Sequence, residues 1–428
     1  MDQVSCPADA PQVTRYGDLW PEVVSWPNLI LAARKARRGK RDRDAVQRFE
    51  FHQERELLRL QRELDSGEYR PGAFTTHWIT RPKPRLISAA PYRDRVVHHA
   101  LMNVLEPILD RHFHRDSYAC RIGKGTHHAA RRLQQLMGQF PYTLQCDVVK
   151  FFPSIDHDIL KELFRQRIKD RRLLALLDAV VDGSNEQEPV TQWFPGDDLF
   201  TPAERRKGLP IGNLTSQWFA NWYLTDFDHL VTSRWGIGGY VRYCDDFVLL
   251  DRDRDRLRGF VPCVIEGLAE VRLAIHRHRS RVSPSRVGRM FVGFRIKTHL
   301  IRIRNANVRL FLTRLGRLRQ EFTQRRLSRE EVHQRLAGWL GHAIQADSLP
   351  LLARLARGWE FCHGRFWRFT RRPSDGDEAI RGRCRQHSAG AVSPSGAVKC
   401  PAPTTGGHRC RSTIGPTAPG GRGCTSSG

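Results

Sequence analysis

Tyr240-Val241-Arg242-Tyr243-Cys244-Asp245-Asp246-Phe247-Val248-Leu249-Leu250 reads as strand, turn and strand. β-branched and aromatic residues bracket a polar pair, the pattern of a tight hairpin. Two adjacent carboxylates at its tip repel each other and are costly to bury unpaired. A divalent cation would neutralise them. Hard oxygen donors suit Mg²⁺, which proteins usually hold through one or two carboxylates plus substrate phosphates. An isolated Asp-Asp is ordinarily a solvated turn, but the apolar flanks set this one apart.

Working outward, Leu144-Gln145-Cys146-Asp147-Val148-Val149 predicts a second strand ending in an acid. Phe151-Phe152-Pro153-Ser154-Ile155-Asp156 then turns the chain into a helix. Asp147 lies far from Asp245 and Asp246 in sequence, so the three can meet only through the fold. Gly208-Leu209-Pro210-Ile211-Gly212-Asn213 precedes a long helix from about Leu214 to Leu230. Leu273-Ala274-Ile275-His276 and Met290-Phe291-Val292-Gly293-Phe294 predict further strands.

The 428 residues include 71 Lys and Arg against 45 Asp and Glu, a net charge of +26. That length can hold two or three lobes around a real core. The basic residues are mostly Arg and spread along the chain, the footprint of a polyanion binder, most simply nucleic acid. Arg also suits phosphate by its fork geometry. The ten cysteines show no regular pairing, which predicts reduced thiols in the cytoplasm. No apolar run reaches membrane-spanning length, and Met1-Asp2-Gln3 opens no signal pattern. The expectation is a cytoplasmic protein with no membrane partner.

The N-terminal part carries Arg34, Lys35, Arg37, Arg38 and Lys40 after a short apolar start, then an amphipathic helix ending at Ser66-Gly67. Thr80 to Ile87 is a basic, proline-interrupted strand or hairpin, followed by a helix carrying Val96, Val97, Leu101 and Leu105. Arg121-Ile122-Gly123-Lys124-Gly125-Thr126 lacks the glycine spacing of a nucleotide-hydrolysing phosphate loop. As a basic loop opening a helix it can still touch a nucleic-acid backbone. Residues 182–206 read as a loop. From Val308 to about Phe369 the pattern is helical with a basic face, and Ser328-Arg329-Glu330-Glu331 fits a capping box. After Pro373, Gly, Ser, Pro, Thr and Arg dominate, which predicts disorder. The Cys and His residues there lack the short-spaced pairs of a zinc site.

Joining nucleotides needs two metal ions about 4 Å apart, and three carboxylates on neighbouring strands can hold them. Together these motifs resemble reverse transcriptases. Asp147-Val148-Val149-Lys150-Phe151-Phe152 is similar to that family's first palm motif, and Tyr243-Cys244-Asp245-Asp246 to its Tyr-x-Asp-Asp box. Lys83-Pro84-Arg85 is similar to the fingers motif, Arg121 to Thr126 to the loop and helix after it, and Phe291-Val292-Gly293-Phe294 to the primer grip. The motifs keep the family's order over roughly residues 75–300.

The resemblance implies an α+β right-hand polymerase. Residues 1–70 would form a basic arm and helix, 71–140 the fingers, 141–300 the palm with an interleaved fingers segment around 182–210, 301–372 a helical thumb, and 373–428 a disordered tail. It assigns Asp147, Asp245 and Asp246 to two Mg²⁺ ions, which Mn²⁺ can replace, assisted by the Val148 carbonyl. Lys83 and Arg85, with Arg81 as an addition, would hold the triphosphate of the incoming dNTP. Phe151, Phe152, Ile211, Gly212 and Gln217 would line its site, Phe152 as the aromatic gate that crowds a ribose 2′-hydroxyl. Arg121, Lys124, Tyr243, Phe291 and Gly293 would contact primer and template. Where the family usually offers a pyrophosphate-protonating lysine, this chain has His278 and Arg279. Arg is a poor proton donor, so either His278 takes that role or the step runs without it.

Ile211-Gly212-Asn213-Leu214-Thr215-Ser216-Gln217 departs from the Gln-Gly-x-x-x-Ser-Pro of most members and resembles the enzymes of diversity-generating retroelements. An apolar branched side chain in place of a hydrogen-bonding one should loosen discrimination among nucleotides. The implied function is error-prone cDNA synthesis at adenines of a template RNA, with a primer and a small basic accessory protein as partners. The alternatives are a group II intron-like, retron-like or antiphage reverse transcriptase, and a non-enzymatic RNA-binding scaffold.

Overall fold

A computed structural model describes residues 14–80, 84–185 and 187–356. Arg81, Lys83, the first part of the basic arm, the end of the expected thumb and the whole expected tail lie outside the described residues.

The chain opens with α1 (Trp20–Val23), α2 (Trp26–Ala36), α3 (Asp44–Phe51) and α4 (Gln53–Ser66). The Ser25 hydroxyl caps α2 by accepting from the Asn28 N–H, satisfying one of the N-terminal donors that a helix leaves unpaired. The basic arm is thus largely helix, and Leu29, Ala32, Ala33 and Ala36 of α2 are buried. The hairpin β1 (Thr75–Ile79) and β2 (Arg85–Ala89) leads into the 21-residue α5 (Tyr92–His112). α6 (Thr126–Gln139) starts at Thr126, as the sequence predicts.

β3 (Tyr142–Asp147) ends on its acid. After it come α7 (Phe151–Ser154), α8 (His157–Arg167), α9 (Arg171–Asp182), the short α10 (Thr201–Glu204), α11 (Leu214–Tyr223) and α12 (Thr225–His229). The predicted helix from Leu214 to Leu230 therefore breaks at Leu224. β4 (Gly239–Tyr243) and β5 (Asp246–Asp251) form the predicted hairpin, and α13 (Arg254–Ala269) returns over the sheet. β6 (Val282–Pro284), β7 (Arg289–Phe291), β8 (Phe294–Lys297) and β9 (Leu300–Ile303) precede α14 (Asn305–Thr323), α15 (Arg329–Ile344) and α16 (Leu349–Ala356). The Ser328–Glu331 capping box is present. In this helical part Phe311 and Trp339 stack with centroids 3.5 Å apart.

Two of the predicted strands take another form. Leu273–His276 is an isolated bridge, Ile275 to Val148, because its backbone meets only the end of β3 and the residues just after it: Val149 N–H donates to the Ala274 carbonyl, and His276 N–H to the Asp147 carbonyl. Met290–Phe294 is a hairpin rather than one strand, turning at Val292-Gly293 between the paired Phe291 and Phe294. Both turn residues have positive φ, +44° and +88°, as such two-residue turns demand. Glycine adopts this freely and a β-branched valine does not.

The antiparallel sheet runs β4-β5-β3-β6. Side chains alternate across it with period two. One face puts Leu144, Cys146, Phe247 and Leu249 into the main core with Leu257, Val264 and Leu268 of α13. The other puts Val241, Val248 and Leu250 against Ala129, Leu133 and Leu136 of α6 and Phe294 and Ile296 of β8. The expected loop at 182–206 is tied down where Arg205, buried, pairs with Asp156 and Asp197, while Arg272 donates to Asp156 at 2.7 Å. The molecule has the α+β architecture the sequence implied.

The central α5 also sets an acid limit on stability. His98 is 4% exposed. Burial, with His99 and Arg95 nearby, pulls its pKa down to about 4. The folded chain therefore keeps His98 neutral where the unfolded chain protonates it. Its contribution is complete above about pH 6.5 and is lost as pH falls toward 4, about 3 kcal/mol in all. Urea unfolding at pH 7 and pH 4.5 should show a smaller acid-induced loss in His98→Leu than in the parent; equal losses would rule this out.

Candidate active site

The hairpin tip is closed by the Tyr243–Asp246 pair, so Cys244 and Asp245 form a two-residue turn. Cys244 sits at φ +58°, a conformation that costs a non-glycine residue about 1 kcal/mol. Beside it, Asp147 lies directly opposite Asp246 in the β3–β5 register. Val148 N–H donates to the Asp245 carbonyl at 3.1 Å. Asp147 and the distant Asp245-Asp246 pair thus converge on one corner of the sheet, and opposed partners across a ladder share a face.

Like charges facing each other raise the energy of the ionised state. Burial first, then Asp147 and Asp245, push the Asp246 carboxyl up to about 8, although a hydrogen bond from Gln145 works the other way. The Gln145 amide nitrogen lies 2.9 and 3.1 Å from the two Asp246 oxygens. Asp147 faces Arg279, whose Nη1 is 3.8 Å from its Oδ2, and the His276 ring, whose Nε2 is 4.0 Å from the same oxygen. Among the described residues no three His, Cys, Asp or Glu side chains close into a ready metal cage. The corner instead offers hard oxygen donors with too little positive charge around them, which is the donor chemistry that suits a hard divalent cation.

The hairpin is anchored from beneath by Arg242, fully buried. Its guanidinium makes a bidentate pair with the equally buried Asp228, 2.7 and 2.5 Å. It also donates to the Cys244 carbonyl and to Asn221 Oδ1, both at 3.2 Å. Tyr240 adds a hydrogen bond to Asp228 at 2.6 Å. Burial acts to lower the Arg242 pKa, and Asp228 outweighs it and raises it. Arg242 therefore grips the turn's own backbone.

Around the carboxylates, Phe152 is half-buried while Phe151 is packed in the core, 3% exposed. Of the two aromatics expected beside the nucleotide, only Phe152 presents a surface. Arg85, at the start of β2, is exposed; Lys83 lies outside the described residues. Ile211 is half-buried, and its carbonyl accepts from Ser88 N–H of β2 at 3.0 Å. Asn213 bonds Ala90 N–H and the Ser88 carbonyl. Gly212 has φ +117°, and a Cβ there would meet Ile87 at 3.1 Å, so this loop is zipped to the hairpin. Gln217 is exposed on the first turns of α11. Tyr243 is half-buried, Phe291 is buried, and Gly293 forms the β7–β8 turn.

The residues expected at the template and the pyrophosphate differ in what they engage. Arg121 is engaged inside the protein: its side chain, 7% exposed, pairs with Asp110 and donates to the carbonyls of Asp110, His114 and Ser117. It closes the end of α5 and leaves its donors no outward face for template. Lys124 donates to the Arg115 carbonyl at 2.7 Å and lies over the Tyr118 ring. His278 is exposed, and it is His276 that stands beside Asp147. The Ile275–Val148 bridge puts residue 276 against the end of β3, which spacing alone did not reveal. Gln145, two residues before Asp147 and hence on its face, carried that signal in the strand period. Asp228 carried none.

A family model described as reverse transcriptase (RNA-dependent DNA polymerase) matches residues 79–296, just over half of the chain. Protein YkfC of Escherichia coli (strain K12) is 25% identical over 287 residues, covering 56% of this chain and 71% of YkfC. The group II intron-encoded protein LtrA of Lactococcus lactis subsp. cremoris is 23% identical over 181 residues, 42% of this chain and 28% of LtrA. A solved structure of apo telomerase from Candida Tropicalis, truncated from its C-terminal domain, overlaps 54% of this chain and 55% of its own with a TM-score of 0.40 and 14% identity. The matched span of the family model takes in β2, both carboxylate-bearing strands and β7. The chain belongs to the reverse transcriptase (RNA-dependent DNA polymerase) family.

Proposed function

We propose that this chain synthesises DNA on an RNA template and is of the diversity-generating type, copying template adenines with errors. The observation that carries the polymerase chemistry is the register that sets Asp147 against Asp246, one residue from Asp245 in the turn. Asp147, Asp245 and Asp246, with the Val148 carbonyl, are the residues that would hold two Mg²⁺ ions, with Mn²⁺ as a substitute. When bound, such ions lower the pKa of an attacking hydroxyl and stabilise charge on the leaving phosphate. The chain's own contribution is positioning. Arg85 holds the triphosphate, Phe152 crowds a 2′-hydroxyl, and Arg279 places positive charge beside Asp147. In this reading residues 71–140 are fingers, 141–300 palm with the 182–210 segment interleaved, and 301–372 thumb.

The diversifying subtype rests on Ile211 to Gln217. Ile211 brings an apolar side chain to a loop whose backbone is fixed to β2, so nucleotide selection there has shape without a side-chain hydrogen bond. RNA-templated synthesis by the full chain, supplied with any RNA and small basic protein found encoded beside it, tests this by product sequencing. Misincorporation at template adenines should exceed that at the other bases by about tenfold or more. A flat error spectrum would favour a second reading, an intron-type enzyme, which the similarity to LtrA supports.

A further inference from the structure

Gln145 links two parts of the molecule that share no backbone ladder among the described residues. The four-stranded sheet and the sheet of β7, β8 and β9 are separate hydrogen-bonded bodies. β3 reaches across to β7 at two points, both by side chains. Arg289 of β7 donates to Thr143 Oγ1 at 2.6 Å and to the Thr143 carbonyl at 2.7 Å. Two residues along the same face, Gln145 Nε2 lies 2.9 Å from the Met290 carbonyl while also donating to Asp246. A primary amide carries two N–H donors. One serves the carboxylate and the other the hairpin, so the single nitrogen is fully used.

The residue type fits this double duty. A lysine or arginine would reach both acceptors but bring a charge that competes with a cation for Asp246. A leucine would strip a partly buried carboxylate of its donor. A glutamate would be repelled. Glutamine donates twice and adds no charge. Met290 immediately precedes Phe291 and the Val292-Gly293 turn, the stretch read above as the primer contact. Moving this hairpin therefore pulls on the group that orients Asp246, and reorienting Asp246 pulls on the hairpin.

We infer that Gln145 is a positioning residue that couples the placement of the β7–β8 hairpin, and with it the primer 3′ end, to the orientation of Asp246. The inference rests on the reverse-transcriptase reading of the hairpin as a primer contact. Its consequence is a check on the primer terminus. A mispaired end displaces the hairpin, and the displacement reaches the carboxylate through one amide.

The test uses the full chain and a primer carrying 4-thiothymidine at its 3′ end. In EDTA, photocrosslinking of parent protein should map to residues 289–297 and should fall about fivefold or more in Gln145→Leu. With metal and dNTPs, extension from a matched terminus should slow by about 10–100-fold, the scale of an ångström-level misplacement, while the dNTP KM stays within about threefold. The ratio of matched to mismatched extension should also shrink. Gln145→Asn keeps the amide but is one methylene too short to span both acceptors. It should share these losses, and it decides the matter if the leucine variant fails to fold. An unchanged crosslink and an unchanged matched-to-mismatched ratio in a folded variant would overturn the coupling while leaving the hairpin reading intact. A parent crosslink that maps away from residues 289–297 would overturn the hairpin reading, and the coupling with it.

Discussion

A chain carrying Asp245→Asn and Asp246→Asn is expected to fold and to lose RNA-templated DNA synthesis by about three orders of magnitude or more, the scale of removing a main electrostatic stabiliser. The same change should leave a second mark that needs no substrate. The Asp246 carboxyl is pushed up to about 8 by burial and by Asp147 and Asp245. An acid whose folded pKa lies above its unfolded value destabilises the fold as pH rises from about 4 to 8, because the folded chain resists ionisation there. In EDTA at pH 7.5, Asp246→Asn should therefore unfold at higher urea than the parent, by about 1–3 kcal/mol. At pH 4 the difference should vanish. A variant that is inactive but no more stable at pH 7.5 would mean that the neighbouring carboxylates do not load Asp246.

The largest structural loss is expected from Asp228→Ala. Asp228 is the buried counter-charge of Arg242, and both are wholly shielded from solvent. Removing one partner of a buried pair strands the other and costs about 3–5 kcal/mol. Arg242 also donates to the Cys244 carbonyl, so the Cys244-Asp245 turn should loosen before the chain unfolds. Activity should then decline at urea concentrations below the main transition, whereas in the parent the two should coincide. Replacing both residues with apolar ones of similar size should recover much of the stability, since no charge is left unpaired. A loss below about 1 kcal/mol in Asp228→Ala would show that water reaches Arg242.

What could be read in advance was local. The hairpin at 240–250, β3 ending at Asp147, α6 opening at Thr126 and the Ser328 capping box each announce themselves within a dozen residues. Period, turn chemistry and end-caps are properties of a short window. The contacts that hold the centre are of another kind. Asp228 reaches Arg242 only because α12 folds back beneath β4. Arg205 meets Asp156 across a loop that looked featureless, and Arg121 turned out to fasten α5. A charged residue in sequence shows that it has charge to offer and not which partner takes it. The break at Leu224 was likewise hidden, since nothing between Leu214 and Leu230 is a glycine or proline.

The two thiols at the centre have a bearing on how the protein meets oxidants. Cys146 stands one residue before Asp147, and Cys244 one residue before Asp245. Burial pushes the Cys146 thiol up to about 12 and raises that of Cys244 as well. The thiolate is the form that peroxide and alkylating reagents attack, and neither residue supplies it at neutral pH. The packing that crowds the carboxylates thereby also keeps these two sulfurs protonated, and both should react slowly with alkylating reagents in the folded chain at neutral pH.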